Sequence, residues 1–357
     1  MVTVPVSQLK SGEKISEDVL TKYNNVIFPK GRVISDRDLE ILRAFLISSV
    51  HIEAKNGESV KVSDESVIEK QKHTRSVLPF YEQYEKMLQL MRRVYNIANA
   101  GGQNLPILEI RTTLEKLIQH VDYYKALTFS PRHFQLSDFI YHNGIMVSLT
   151  SYNLAKWHGL PTKDLMPVAL GGLLHDIGNA KVDAGILFKP SKLNADERED
   201  MKKHTIIGYN LLKSVPAVND GVRLCALQHH EREDGSGYPL GVRGDKIHLY
   251  SKIVAITDVF HAMRTNRYHK SGTSPYLVLE QLLDESFGKL DPALVQTFIH
   301  KVTSFHNGTL VKLSDNQVGE IVFSDRSQPT RPWVNVNGKI INLTIERNLH
   351  IQDVIQT

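Results

Sequence analysis

Leu173-Leu174-His175-Asp176-Ile177-Gly178 closes an apolar, helix-like run with two residue types that ligate metals. Adjacent helical residues point about 100° apart, so His175 and Asp176 do not share one helix face. Both can still reach one cluster, and a carboxylate can bridge two ions. Alone, the pair reads more readily as a structural hydrogen bond than as a ligand pair. The surrounding sequence changes that reading. Asp138 and His142 stand four apart in a helical pattern and share a face. His229-His230 is a second adjacent pair, His204 lies between the two pairs, and Asp258 ends the apolar run Ile253 to Thr257. Imidazoles and carboxylates together suit Mn, Fe or Zn rather than a thiolate-preferring metal. These eight donors, spread over ~120 residues, suffice for two or three divalent ions when water or phosphate oxygens complete the shells. His51, His73, His120, His158 and His306 have no such company and read as ordinary surface or core residues.

The second pair runs directly into a turn: His229-His230-Glu231-Arg232-Glu233-Asp234-Gly235-Ser236-Gly237-Tyr238-Pro239. Gly235 and Gly237 permit positive φ and a close backbone approach. A plain helix-terminating turn would use the same residues.

Together these segments resemble the HD-GYP family of HD-superfamily phosphodiesterases. The likeness rests on His175-Asp176, the string His-His-Glu-Arg-x-Asp-Gly-x-Gly-Tyr-Pro, Lys189-Pro190, Met201-Lys202-Lys203-His204 and Asp258, and covers roughly residues 130–305. The resemblance implies an all-helical HD domain, a centre of two or three divalent ions (Fe or Mn), and hydrolysis of cyclic di-GMP to pGpG or GMP. By position it implies His142, His175, Asp176, His204, His229, His230 and Asp258 as ligands. Asp138 falls where trinuclear members have Glu. Arg267 and Lys270 resemble the family's phosphate contacts, and Tyr238 with Gly235 and Gly237 would shape the base or ribose environment. The sequence departs from the family at Asn179, where Lys is usual, and at Tyr268 and His269, where many members have Pro-Tyr. Asn179 donates a hydrogen bond without charge, and loss of one transition-state donor costs ~2.7–4 kcal/mol. Asp176, Asn179 and the nearby Lys181 are therefore the catalytic candidates. One alternative is a module that binds cyclic di-GMP with little turnover, motivated by Asn179. Another is an HD-superfamily hydrolase of mononucleotides, against which the His-His pair and the Gly-Tyr-Pro loop weigh.

Outside this region the pattern changes twice. Residues 1–66 read as a small mixed α/β module: Val26-Ile27-Phe28 and Val50-His51-Ile52 as strands, and Ser35 with Asp38 as a helix cap leading into Leu39, Leu42, Arg43 and Leu46. This module resembles segments found upstream of HD-GYP domains. Residues 67–125 are helical, with Leu78, Tyr81, Met87, Leu88, Met91 and Val94 at three- and four-residue spacing and a break at Gly101-Gly102. They fill a core or form a linker or homodimer seam, the core being the commoner use of such a face. Residues 126–307 form the helical domain with the metal donors. In 308–357, Val311, Leu313, Val318, Ile321, Val322, Val334, Val336, Ile340 and Ile341 alternate with polar positions, and Asn337-Gly338 signals a hairpin. The expected fold is mainly α, with a small β unit at the C-terminal end.

Composition agrees with an ordinary globular chain. Of 357 residues, 41% are hydrophobic and 23% charged, enough for a sizeable core. The net charge of +4, from 43 basic and 39 acidic residues, is too small to argue for duplex nucleic acid as a partner. The lone Cys225 forms no intrachain disulfide and reads as a buried, inert thiol. The first residues lack the pattern of a signal peptide, and no apolar run approaches the ~20 residues of a membrane span. A cytoplasmic protein is expected.

Overall fold

The computed structural model describes residues 2–6, 9–20, 26–35, 38–39, 42, 47, 49–52, 65–101, 104–264, 273–304 and 308–355, with the backbone alone at Val2, Leu20, 26–27 and 65–76. The chain divides into two compact units, residues 1–78 and 79–356. In the first, β1 (Val2–Pro5) pairs antiparallel with β4 (Ser49–Ile52), and β2 (Val19–Leu20) with β3 (Val26–Phe28). Ile15, Phe28, Ile34, Leu42 and Val50 form its core. The Ser35–Asp38 cap is present in both directions: Asp38 Oδ2 accepts from the Ser35 amide at 3.0 Å, and Ser35 Oγ from the Asp38 amide at 3.2 Å. Arg43 and Leu46 lie outside the described residues.

The second unit is helical around one core. Its helices are α1 (Glu65–Asn99, of which 79–99 belong here), α2 (Ile107–Ile118), α3 (Phe139–Trp157), α4 (Thr162–Leu174), α5 (Ala184–Leu187), α6 (Ala195–Lys202), α7 (His204–Lys213), α8 (Asp220–Gln228), α9 (Leu249–Arg264), α10 (Pro275–Glu285) and α11 (Pro292–Val302). Local sequence sets several starts. Asn194 and Glu197 cap α6 reciprocally, each side chain accepting the other's amide at 2.8 Å. Asn219 caps α8 through the Val222 amide, and Pro275 and Pro292 open α10 and α11.

Helices α3, α4, α8 and α9 pack together, with Val147, Leu149, Leu170, Leu173, Leu174, Ile253 and Ile256 buried among them. Met87, Leu88, Met91 and Val94 of α1 are buried in this same core. Over residues 80–98 the apolar face of α1 therefore fills the chain's own interior. Cys225 is fully buried, and burial pushes its thiol up to about 12, which leaves it unreactive.

The C-terminal segment forms an antiparallel sheet from β5 (Leu310–Leu313), β6 (Val318–Phe323), β7 (Trp333–Val336), β8 (Lys339–Asn342) and β9 (Ile351–Val354), in the order β8-β7-β6-β5-β9. Val311, Leu313, Ile321, Val334 and Val336 point inward, whereas Val318 and Ile340 are exposed. Asn337 and Gly338 both have positive φ, 52° and 87°, as the tight β7–β8 hairpin requires. The sheet is tied to α10 by Ser274 Oγ donating to the Ile351 carbonyl at 2.6 Å and by Arg331, which pairs with Glu280 and donates to the Leu349 carbonyl.

Candidate metal centre

Three buried imidazoles are held by one rule. His175, at the end of α4, presents Nδ1 to the Gly172 carbonyl at 2.7 Å; His204, opening α7, to Met201 at 2.6 Å; and His229, ending α8, to Cys225 at 2.8 Å. A carbonyl only accepts, so each Nδ1 carries a proton, and Nε2, the atom left to take a cation, faces inward. That is how the backbone prepares a histidine to ligate metal.

The inward atoms converge on two carboxylates. Asp176 Oδ2 lies 3.4 Å from His175 Nε2, while its Oδ1 lies 3.3 Å from His204 Nε2 and 3.6 Å from His229 Nε2. Asp258 Oδ1 lies 3.4 Å from His175 Nε2. Two overlapping donor groups result: Asp176, His204, His229 and His230; and His175, His229 and Asp258, the donor atoms of each lying within 4.8 Å of one another. The Asp176 carboxylate spans the two. The Nε2 atoms of His204 and His229 are only 3.3 Å apart, a juxtaposition of two lone pairs that favours a shared cation.

The electrostatics fit the same reading. Burial opposes charge on His175, yet Asp176 and Asp258 hold its pKa well above the ordinary histidine value. Burial also disfavours the two carboxylates, but the neighbouring imidazoles, His175 foremost, keep both below the usual range. The acids thus draw positive charge to this point, which a proton on His175 or a metal cation meets. Burial lowers His204 and, with the adjacent His229 and His204, pulls His230 well down, so both stay neutral as ligands must. His175 Nε2 is buried with no hydrogen-bond partner, as a metal-directed donor would be. The donor set, nitrogen and oxygen without thiolate, suits Mn, Fe or Zn.

Not every predicted residue joins these groups. His142 lies in α3, buried, with Nδ1 at 3.0 Å from Tyr84 Oη and Nε2 lacking a partner; burial lowers its pKa to about 4. Asp138 stands just before α3 with its carboxylate gripped by Arg92, Nη2–Oδ2 2.7 Å and Nε–Oδ1 3.2 Å. Asn179 is buried in the turn Ile177–Lys181 with Oδ1 unpartnered. Lys181 is exposed and donates to the Asn99 carbonyl at the end of α1. Arg267, Lys270, Tyr268 and His269 lie outside the described residues.

The turn after His175-Asp176 is held against α7 by a close approach. A Cβ on Gly178 would lie 1.9 Å from the His204 carbonyl oxygen, so the segment carrying Asp176 meets the start of α7 backbone to backbone. The Gly-rich loop is fixed differently. Glu231 is buried, and its carboxylate accepts the Leu240 amide at 2.7 Å and the Val242 amide at 3.1 Å. Gly235 has φ of 79°, and a Cβ on Gly237 would lie 2.4 Å from Glu231 Cα. Tyr238, the residue this loop carries, stacks on His230 with centroids 4.6 Å apart, and Lys202 Nζ lies 5.5 Å above its ring.

Sequence reading missed several of these parts. Asn143 donates to Asp258 Oδ1 at 3.2 Å, and Tyr95 to the Asp176 carbonyl at 3.0 Å. Tyr84, Arg92 and Tyr95 lie 58, 46 and 81 residues from their partners, and such distances leave no local pattern. Glu231 had a signal: an acid beside a buried histidine pair, ahead of a loop rich in unpaired amides.

A family model described as HD domain matches residues 107–294, more than half of the 357-residue chain. The chain belongs to the HD domain family. Within it, His175-Asp176 and the His229–Pro239 stretch mark the HD-GYP branch. The cyclic di-GMP phosphodiesterase PA4108 of Pseudomonas aeruginosa is 30% identical over 199 residues, 56% of this chain and 48% of that protein. The cyclic di-GMP phosphodiesterase PdeB of Borreliella burgdorferi is 24% identical over 327 residues, 89% of this chain and 84% of that protein. The 3'3'-cGAMP-specific phosphodiesterase 2 of Vibrio cholerae is 32% identical over 160 residues, 44% of this chain and 31% of that protein. The matched region spans less than half the length of the Pseudomonas and Vibrio proteins.

Proposed function

We propose that this chain is a metal-dependent phosphodiesterase that hydrolyses cyclic di-GMP to pGpG, GMP or both. The convergence of His175, Asp176, His204, His229, His230 and Asp258 on two overlapping donor groups carries the reading. The names of the Pseudomonas and Borreliella relatives support the substrate.

His175, Asp176, His204, His229, His230 and Asp258 would hold two divalent ions, Fe or Mn; Arg92 on Asp138 argues against a third ion at that residue. When bound, such ions activate water at neutral pH and offset charge on the phosphoryl oxygens. The rest falls to the chain. Asp176 and Asp258 fix the cluster's charge, and the carbonyls of Gly172, Met201 and Cys225 keep protons on Nδ1. Asn179, buried beside Asp176 in sequence, donates its amide N–H to a phosphoryl oxygen. Arg267 and Lys270 hold the phosphates, Arg as a fork and Lys as a point charge. Tyr238, braced by Glu231 and stacked on His230, offers a ring to a base or ribose.

Among the described residues no helix is long and apolar enough to cross a membrane, and we place the protein in the cytoplasm. A homodimer, where it forms, uses surfaces other than the buried face of α1.

The test is anaerobic turnover of cyclic di-GMP with Mn or Fe, beside 3'3'-cGAMP and nucleoside triphosphates. Linear guanine dinucleotide or GMP as the preferred product supports the reading. Preference for 3'3'-cGAMP reassigns the substrate, and triphosphate hydrolysis alone refutes it.

A further inference from the structure

Tyr84, Arg92 and Tyr95 lie along one face of α1 and reach His142, Asp138 and the Asp176 carbonyl in turn. The Tyr84 contact has a chemical consequence. His175, His204 and His229 each have Nδ1 fixed by a main-chain carbonyl from the residues just before them. His142 is held at the same atom, but by a phenol from another helix, at 3.0 Å. Its Nε2 is buried and has no hydrogen-bond partner.

We propose that Tyr84 is a positioning residue for His142, accepting the Nδ1 proton and leaving the Nε2 lone pair as a further ligand for a divalent ion. The inference rests on the metal-centre reading above. An ion at Nε2 takes the lone pair there, which leaves the ring proton on Nδ1 with Tyr84 Oη as its acceptor. The ring has little room to turn. Tyr84 stacks on it at 5.8 Å and 17°, and Phe134 packs on it at 5.3 Å. The hydroxyl itself is placed by packing, since Phe80 and Phe129 hold the Tyr84 ring with centroids 6.1 and 5.2 Å away. The α1 helix, which carries no recognisable motif, thus contributes to ligand geometry.

Tyr84→Phe removes the hydroxyl and keeps the packed ring. The full-length variant, His142→Ala and the double variant are titrated with Mn²⁺ alone, and histidine ¹⁵N spectra are recorded on metal-free protein. The wild type should show His142 with the proton on Nδ1. In Tyr84→Phe, Mn²⁺ affinity at one site should fall about 10- to 100-fold, the usual effect of losing a group that orients a ligand. The double variant should bind no worse than His142→Ala. Unchanged Mn²⁺ affinity in Tyr84→Phe overturns the proposal, whatever happens to its melting temperature. So does a wild-type spectrum with the His142 proton on Nε2, or a loss that adds to that of His142→Ala. A wild type that fails to hydrolyse cyclic dinucleotides but binds Mn²⁺ in a Tyr84-dependent way would sink the proposed function and leave this inference standing.

Discussion

Replacing Glu231 with Gln should loosen the loop carrying Tyr238 without changing the shape of the side chain. The carboxylate accepts two main-chain amides, Leu240 N–H at 2.7 Å and Val242 N–H at 3.1 Å, in a buried setting. Glutamine has one acceptor oxygen; its NH₂ group would face the second amide, donor against donor. One charge-assisted hydrogen bond is lost, worth about 1.5–3 kcal/mol, and the surviving bond is weakened because its acceptor is no longer charged. A local destabilisation of about 2–4 kcal/mol follows, equivalent to roughly 30- to 10³-fold more frequent opening of the loop. Hydrogen exchange at the amides of Leu240 and Val242 measures this directly. Turnover should report a raised KM, because the Tyr238 ring on His230 loses its support, while metal content stays near wild type. Unchanged protection of both amides in Glu231→Gln would refute the reasoning, since the clamp would then contribute nothing to the loop.

Gly178→Ala places a methyl 1.9 Å from the His204 carbonyl oxygen. Backbone must move, so stability should fall by about 3 kcal/mol in chemical denaturation, with metal content falling alongside. His261 is fully buried, its Nε2 at 2.7 Å from Thr150 Oγ1, and burial, helped by Arg264, lowers its pKa to about 3. The folded state therefore binds fewer protons than the unfolded chain, where histidine titrates near 6.5. The contribution is complete above pH 6.5 and is lost as pH falls toward 3, on the order of 5 kcal/mol in all. His261→Leu should flatten that part of the stability profile, and an unchanged slope would contradict the assignment. Mn²⁺ should raise the melting temperature, by about 4 kcal/mol of stability at a thousandfold excess over Kd. Asp176→Ala, which removes a carboxylate of the donor cluster, should abolish the rise; a full shift in that variant would count against the site.

Six of the eight candidate donors, His175, Asp176, His204, His229, His230 and Asp258, are brought together by the fold, and the adjacent pairs His175-Asp176 and His229-His230 made them legible in the sequence. The β unit was legible through its period of two, with Val334 and Val336 inside and the Asn337-Gly338 turn between β7 and β8. What escaped was the set of polar contacts that α1 makes. Its tyrosines match the core pattern as well as any apolar residue, and only the folded chain reveals that the Tyr84 and Tyr95 hydroxyls reach His142 and the Asp176 carbonyl. Spacing alone also left Asp138 and Lys181 open. An arginine 46 residues earlier holds the first, and a carbonyl 82 residues earlier holds the second. Such long-range partners decide whether a charged side chain is available for chemistry.

The most direct test of the account is turnover of cyclic di-GMP by the full chain under anaerobic conditions, with bound Mn or Fe counted in the same preparation. The account predicts two bound ions per chain and release of pGpG or GMP. Full metal occupancy with tightly bound, intact cyclic di-GMP would contradict it.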